Sequence, residues 1–134
     1  LLQKKHDNMN FSDSDRQFTF HDKITHDSLT VKIQEITDAD YGLYIWPCAP
    51  VLAQYIWLNR NKVRGKSIIE IGAGTSLPGI VAAKCGAKVI LSDRSSLKNC
   101  LHICHQNAKL NDLGDISILG VTWGQVTPAL MRLP

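Results

Sequence analysis

The sequence has 134 residues, which suits a single domain, and its 44% hydrophobic and 20% charged residues exclude an intrinsically disordered chain. The formal net charge is only +3 and the basic residues are scattered, so no direct nucleic-acid partner is predicted. No segment approaches the roughly 20 apolar residues of a membrane-spanning helix, so no membrane partner is predicted either. The cysteines form no CxxC pair and are interpreted as reduced intracellular thiols: Cys48, Cys85, Cys100 and Cys104.

The N-terminal part of the chain predicts a disordered tail followed by a β-hairpin. Residues 1–16 are polar and are assigned to the tail. Residues 17–21 and 29–34 alternate apolar and polar side chains, which is typical of half-buried strands, and we expect them to pair as a hairpin. Two aspartates and a glycine within residues 38–42 mark a turn after the hairpin.

A helix is predicted from Pro47 to about Lys62, because proline fits the first turn of a helix, where its missing N–H costs nothing. Its apolar face is predicted from residues at helical spacing and two neighbours that widen the stripe: Leu52, Tyr55, Ile56 and Asn59, with Val51 and Leu58.

Strands and helices alternate in the rest of the chain. Strands are predicted at 67–71, 87–92 and 116–121, and helices at 78–85 and 95–110. The strands are short and mostly apolar, as in a parallel sheet whose faces are covered. This order indicates an α/β fold with right-handed crossovers, and no element is predicted after the third strand.

The most informative segment is a glycine-rich turn between the first of these strands and the next helix. It reads Glu70-Ile71-Gly72-Ala73-Gly74-Thr75-Ser76-Leu77-Pro78-Gly79. Gly72 permits a tight turn and Gly74 lets a ligand approach the backbone, although such turns also occur where no ligand binds. Asp93 is an independent signal, because it lies 21 positions after Gly72, at a strand end where an acid can accept ribose hydroxyl hydrogens. Together they indicate an adenosine-containing cofactor.

Two such cofactors compete, a nicotinamide dinucleotide and S-adenosylmethionine. Dinucleotide sites prefer a third glycine three residues after the second, whereas Gly79 comes five after Gly74. Glu70 would repel a pyrophosphate but suits a cationic amino group and a sulfonium. The methyl donor S-adenosylmethionine is therefore favoured, and a nicotinamide oxidoreductase is the less favoured alternative.

The turn resembles motif I of the class I methyltransferases, in the form used by methyltransferase family sixteen. Three further segments resemble that family's pre-motif helix, second-strand acid motif and signature after the third strand: Trp46-Pro47 with Leu52-Ala53-x-Tyr55, Leu91-Ser92-Asp93, and Val121-x-Trp123-Gly124. The resemblance implies a Rossmann-like three-layer α/β sandwich. Residues 17–134 would be an N-terminal β-hairpin plus the first half of the methyltransferase domain.

The resemblance also implies S-adenosyl-L-methionine as cofactor and assigns its site to Trp46, Glu70, Gly72, Ala73, Gly74, Asp93 and Trp123. The acid and glycines of the turn would line the methionine end, and Asp93 would bind the ribose. Trp123 would flank the adenine and Trp46 would help to close the pocket, but packing in the core is the alternative for both tryptophans.

By the same resemblance, the function would be methylation of a protein, on a lysine or arginine side-chain nitrogen. A histone, with histone arginine as one target, or a chaperone would be the substrate, in cytoplasm and nucleus. The residues do not choose between lysine and arginine, and no catalytic base is visible in the sequence.

The family's fold has seven strands, whereas the predicted elements supply the first three. Nothing after Gly124 matches the family's Asp-x-x-Tyr/Phe motif, and the first strand would form an open edge that exposes Ile68, Ile69 and Ile71. We therefore infer a fold truncated after the third core strand. A non-catalytic form that binds only cofactor or partner is the alternative function.

A metal site is considered at Cys100, Cys104 and His105, since the two thiols share a helical face. Structural zinc requires four ligands, and thiols on the core face of a helix are more often packing residues, so no metal is predicted.

Overall fold

A computed structural model describes residues 13–36 and 43–133. The elements in these ranges are β1 (Asp13–His21), β2 (Ser28–Ile36), α1 (Cys48–Leu58), α2 (Arg60–Val63), β3 (Ser67–Ile71), α3 (Leu77–Lys84), β4 (Lys88–Asp93), α4 (Lys98–Leu110), β5 (Ser117–Gly120) and α5 (Pro128–Met131). The predicted turn at 38–42 and tail residues 1–12 lie outside the described residues. None of the described helices has the length and apolar character needed to cross a membrane.

The N-terminal hairpin is confirmed and is longer than predicted. β1 and β2 pair antiparallel from Asp13 opposite Ile36 to His21 opposite Ser28. Residues 13–16 were assigned to the tail but form the start of β1. These residues are all polar, so no alternation marks them, and the backbone pairing with β2 makes them a strand.

The second sheet is the predicted parallel α/β sheet, in the order β3-β4-β5. Ser67 lies opposite Lys88, and Ile90 lies opposite Ser117. The helices α3 and α4 cover one face, where Leu91 is fully buried. This arrangement confirms the α/β fold class and brings the carboxyl ends of the three strands to one edge of the sheet.

β3 lies at one end of this sheet, as expected for a fold with three core strands. Ile71 is 61% exposed, whereas Ile68 and Ile69 are partly buried. The predicted exposure is therefore confirmed for Ile71, whereas Ile68 and Ile69 are less exposed than predicted.

The buried face of α1 differs from the prediction. Ala53 and Trp57 are its buried residues and pack in one cluster with the hairpin and α3. Four residues of the predicted apolar face are exposed instead: Val51, Leu52, Tyr55 and Leu58. The pattern favoured the larger side chains, but α3 and β1 contact the helix on the side of small Ala53. Asn59, with φ −103° and ψ 20°, also divides the predicted helix into α1 and α2.

The hairpin turn is fixed to the helices by Arg60. Its guanidinium donates hydrogen bonds to Asp22 Oδ2 at 2.8 Å, Thr25 Oγ1 at 2.9 Å and Asp27 Oδ2 at 2.9 Å. The hydrogen bond from Arg60, aided by the Ile24 N–H, lowers the pKa of Asp22 to about 2. The acids of this turn thus serve to hold the hairpin in place.

The segment after β5 contains a short helix that the sequence pattern did not predict. The Thr127 hydroxyl accepts a hydrogen bond from the Leu130 N–H at 3.2 Å, and Pro128 occupies the first turn of α5. This Thr-Pro pair is a capping signal that was present in the sequence.

Candidate functional site

The glycine loop, residues 72–76, joins β3 to α3 at the carboxyl edge of the sheet. Gly72 and Gly74 have φ of 67° and 51°, in the left-handed region that favours glycine. A Cβ at Gly72 would meet no atom within 4 Å, so this residue faces open space. Ser76 also has a positive φ, of 65°, although it is buried and carries a side chain. The chain therefore accepts backbone strain immediately before α3.

Hydrogen bonds fold the glycine loop over the end of β4. The Ala73 N–H donates to the Ser92 carbonyl at 2.9 Å, and the Gly74 N–H donates to Asp93 Oδ2 at 2.8 Å. The other Asp93 oxygen accepts the Arg94 N–H at 2.7 Å. Since each carboxylate oxygen has two acceptor sites, Asp93 can still accept hydrogen bonds from a ligand.

Glu70 lies under the N-terminal turn of α3. Its Oε2 accepts the Gly79 N–H at 3.0 Å, so it satisfies a backbone donor at the positive end of the helix. Burial raises the pKa of Glu70 to about 7; the Gly79 hydrogen bond opposes the shift, and the charge of Asp93 adds to it. Glu70 is therefore near its titration point at neutral pH.

Gly79 permits this close packing of helix and sheet. A Cβ on Gly79 would overlap Glu70 Oε2 and a methyl carbon of Leu91. The sequence pattern used Gly79 only for motif spacing, whereas the structure gives it a packing role of the kind that the third glycine has in dinucleotide motifs.

The carboxyl edge of the sheet opens into a cleft of about 1230 Å³. All seven predicted cofactor residues line it: Trp46, Glu70, Gly72, Ala73, Gly74, Asp93 and Trp123. The structure therefore brings the predicted set together, and their individual roles toward a cofactor stay predictions.

The two tryptophans of the cleft are surface residues. Trp46 is 45% exposed and Trp123 is 80% exposed, so packing in the core is wrong for both. The Trp46 ring lies 4.8 Å from that of Tyr44, which also lines the cleft. The buried tryptophan is Trp57, whose burial the sequence pattern did not predict.

The segment that carries Trp123 is tied to the end of β4. The Val121 N–H donates to the Asp93 carbonyl at 2.8 Å, and the hydroxyls of Ser95 and Thr122 share a hydrogen bond. These hydrogen bonds fix the backbone just before Trp123, which lines the cleft.

The acids of the cleft form no ion pair with a basic residue in the part of the chain that the structure describes. Within residues 13–36 and 43–133, the ion pairs are Arg16–Glu35, Arg60–Asp22 and Arg60–Asp27. Arg94 lines the cleft but forms no ion pair with Glu70 or Asp93. The cleft therefore presents unpaired acidic groups, which favour a ligand with cationic groups or hydroxyl donors.

Two side chains of helix α4 donate hydrogen bonds to backbone carbonyls of the glycine loop. The Cys104 thiol donates to the Gly74 carbonyl at 3.2 Å, and Asn107 Nδ2 donates to the Thr75 carbonyl at 3.0 Å. Burial raises the pKa of the Cys104 thiol to about 12, so it stays a protonated donor. The sequence pattern placed Cys104 on the core face but missed Asn107, because a buried asparagine interrupts the apolar pattern.

The residues considered for a metal lie on different surfaces. Cys100 and Cys104 are buried in the core, whereas His102 and His105 are exposed. Both cysteines thus face the core, where Cys104 also donates its hydrogen bond to the glycine loop.

Comparison with known proteins gives a family match and named relatives. The family model described as "Lysine methyltransferase" matches residues 25–132. The histone-arginine methyltransferase METTL23 of Mus musculus is 50% identical over 106 residues, which cover 79% of this chain and 42% of the relative. METTL23 of Homo sapiens is 55% identical over 92 residues, covering 69% and 48%.

A more distant relative is the protein N-lysine methyltransferase METTL21A of Danio rerio, which is 35% identical over 82 residues, covering 60% of this chain and 38% of the relative. The chain spans less than half the length of each of these three curated relatives. The match includes the glycine loop, Asp93 and Trp123, and it agrees with the parallel α/β sheet. The chain therefore belongs to the lysine methyltransferase family, as its resemblance to the class I methyltransferases led us to expect.

Proposed function

We propose that this chain binds S-adenosyl-L-methionine in the cleft and provides the cofactor-binding part of a protein methyltransferase. The observation that carries the proposal is the joint placement of unpaired acids, Glu70 and Asp93, around the glycine loop. A pyrophosphate at this point would meet two acids that are paired with no basic group among the described residues. A ligand with an amino group, a sulfonium and ribose hydroxyls would find acceptors instead.

The residues that line the cleft fit the proposed cofactor in shape as well as in charge. Gly72 faces open space, so a ligand can approach its backbone. Trp46 and Trp123 expose ring surface in the cleft, and such rings suit stacking on a planar base. When bound, the cofactor supplies an electrophilic methyl group, while the acids and the loop orient it.

The proposed acceptor is a lysine or arginine nitrogen of a protein substrate. Relatives at 50–55% identity are named histone-arginine methyltransferases, and a relative at 35% identity is named a protein N-lysine methyltransferase. A histone arginine is therefore our first candidate and a lysine of a chaperone the second, in cytoplasm and nucleus. A free lysine must lose its proton before it attacks, which costs about 4 to 5 kcal/mol at pH 7.

A second candidate is a chain that binds the cofactor or a partner but transfers no methyl group. All seven residues assigned to the cofactor line the cleft, whereas no substrate-binding residue or catalytic base is assigned among the described residues. Transfer of a labelled methyl group to histone or to peptides containing arginine or lysine separates the two candidates.

Calorimetric titration with S-adenosylmethionine tests the cofactor site. The unaltered chain is expected to bind, while Gly72→Arg, which fills the open space, and Asp93→Asn, which removes a charge, should lose at least about tenfold in affinity. Gly114→Ala is the matched control, because Gly114 has open space around it and is outside the cleft. Binding of NADH but not of S-adenosylmethionine, or binding of neither by a chain shown to be folded, would contradict the proposal.

A further inference from the structure

Asn107 is a polar residue in the core. It is 0% exposed in the last turn of α4, and both its side-chain oxygen and its side-chain nitrogen form hydrogen bonds. Oδ1 accepts the Gln34 N–H at 2.7 Å, while Nδ2 donates to the Gln34 carbonyl at 3.1 Å and to the Thr75 carbonyl at 3.0 Å. Both amide hydrogens are used, and the opposite amide orientation would set donor against donor at Gln34. One side chain thus joins the hairpin to the glycine loop.

The contact at Thr75 affects the loop's conformation. Thr75 is buried, so its carbonyl would be poorly satisfied without Asn107. Cys104, one turn earlier on α4, holds the neighbouring Gly74 carbonyl. Because a peptide unit is planar, fixing these carbonyls toward α4 turns the N–H groups of Thr75 and Ser76 away from it. Two side chains of one helix therefore fix two consecutive peptide planes of the loop.

Asn111 provides an internal comparison. Its Oδ1 accepts the Lys32 N–H at 3.0 Å, and its Nδ2 donates to the Lys32 carbonyl at 2.7 Å and to the Asn107 carbonyl at 2.8 Å. Both asparagines therefore satisfy the backbone along the same edge of β2. Only Asn107 also reaches the glycine loop.

We propose that Asn107 is a positioning residue that couples docking of the N-terminal hairpin to the conformation of the glycine loop. The inference rests on the proposed function only in that the loop would hold the cofactor. The hairpin, which lies outside the parallel sheet, then contributes to the ligand site without touching the ligand. A variant that breaks the link should disturb the loop more than its loss of global stability explains.

The test compares Asn107→Ala with Asn111→Ala. Each variant loses the two hydrogen bonds that its asparagine forms with the backbone of β2. Only Asn107→Ala also loses the hydrogen bond to the Thr75 carbonyl. Hydrogen exchange of the full chain without ligand is measured for residues 72–79 and 28–36, beside urea unfolding and the Kd for S-adenosylmethionine. Asn107→Ala should raise the exchange rate of the loop and the Kd for S-adenosylmethionine by at least about tenfold each, which is the effect of one lost hydrogen bond. Asn111→Ala should change both quantities by less than about threefold, although it should raise the exchange rate of β2.

Equal effects of the two variants, or unchanged loop exchange in Asn107→Ala, would overturn the inference, since the asparagines would then act only through global stability. If Asn107→Ala does not fold, Asn107→Ser is compared with Asn111→Ser on the same scheme. The exchange measurement decides the positioning role even if the unaltered chain binds no S-adenosylmethionine, so failure of the proposed function and of this inference are distinguishable.

Discussion

The hairpin turn and the glycine loop each gather two acids, and they use them in opposite ways. Asp22 and Asp27 both form ion pairs with Arg60, whereas Glu70 and Asp93 accept hydrogen bonds only from backbone N–H groups among the described residues. The pKa of Asp22 is lowered to about 2, while that of Glu70 is raised to about 7. The two ion-paired acids stabilise the fold, whereas the buried charge of Glu70 carries a cost that a ligand can offset.

The two shifts give opposite dependences of stability on pH. Asp22 contributes stability that is present above its ordinary pKa of 3.8 and is lost as the pH falls toward about 2. Glu70 binds its proton more tightly in the folded chain, so folding is disfavoured as the pH rises from 4.5 through about 7. The stability cost of the charged Glu70 carboxylate thus grows up to neutral pH and is complete only above about pH 7.

Glu70→Gln gives the largest predicted effect. Its amide oxygen can still accept the Gly79 N–H, but no charge has to be buried. Between pH 4.5 and pH 8, the unaltered chain should lose roughly 3 kcal/mol of unfolding free energy relative to the variant. Urea unfolding of both chains at several pH values measures this difference, and calorimetry should show weaker binding of S-adenosylmethionine by the variant. Parallel pH profiles would show that Glu70 titrates normally.

Gly79→Ala tests the packing that keeps Glu70 buried. The added methyl group would overlap Glu70 Oε2 and Leu91, and we expect a loss of about 1 to 3 kcal/mol in unfolding free energy despite the better helix propensity of alanine. Gly114→Ala, which adds a methyl group in open space, should change stability by less than about 0.5 kcal/mol. Equal stability of the two variants, measured by urea unfolding, would contradict the packing role of Gly79.

The glycine loop could be predicted from the sequence because local rules govern it. The apolar run of β3, Gly72 and Gly74 at positive φ, and Pro78 at the start of α3 each act within a few residues. The parallel sheet also follows from the order of its elements. The seven residues assigned to the site therefore meet in one cleft, even though they come from distant segments.

The contacts that fix these elements could not be predicted, because they depend on packing between distant segments. Asn107 and Gln34 are 73 positions apart, and Arg60 and Asp22 are 38 apart. The buried side of α1 likewise depends on how closely α3 approaches Ala53, which helical spacing does not encode. Periodicity shows where an element lies, whereas its partners decide which of its polar residues are buried.

Asp27→Asn gives the smallest predicted effect and sharpens the comparison between the two turns. The Asp27 side chain is 58% exposed, so loss of its ion pair with Arg60 should cost less than about 1 kcal/mol, and less still at high salt. Affinity for S-adenosylmethionine should be unchanged, because Arg60 keeps Asp22 and the turn stays docked. Urea unfolding and calorimetry of the Asp27→Asn and Glu70→Gln variants give the contrast directly. If Asp27→Asn weakened binding as much as Glu70→Gln, the paired and unpaired acids would not differ in function, and the distinction between a structural turn and a binding loop would be wrong.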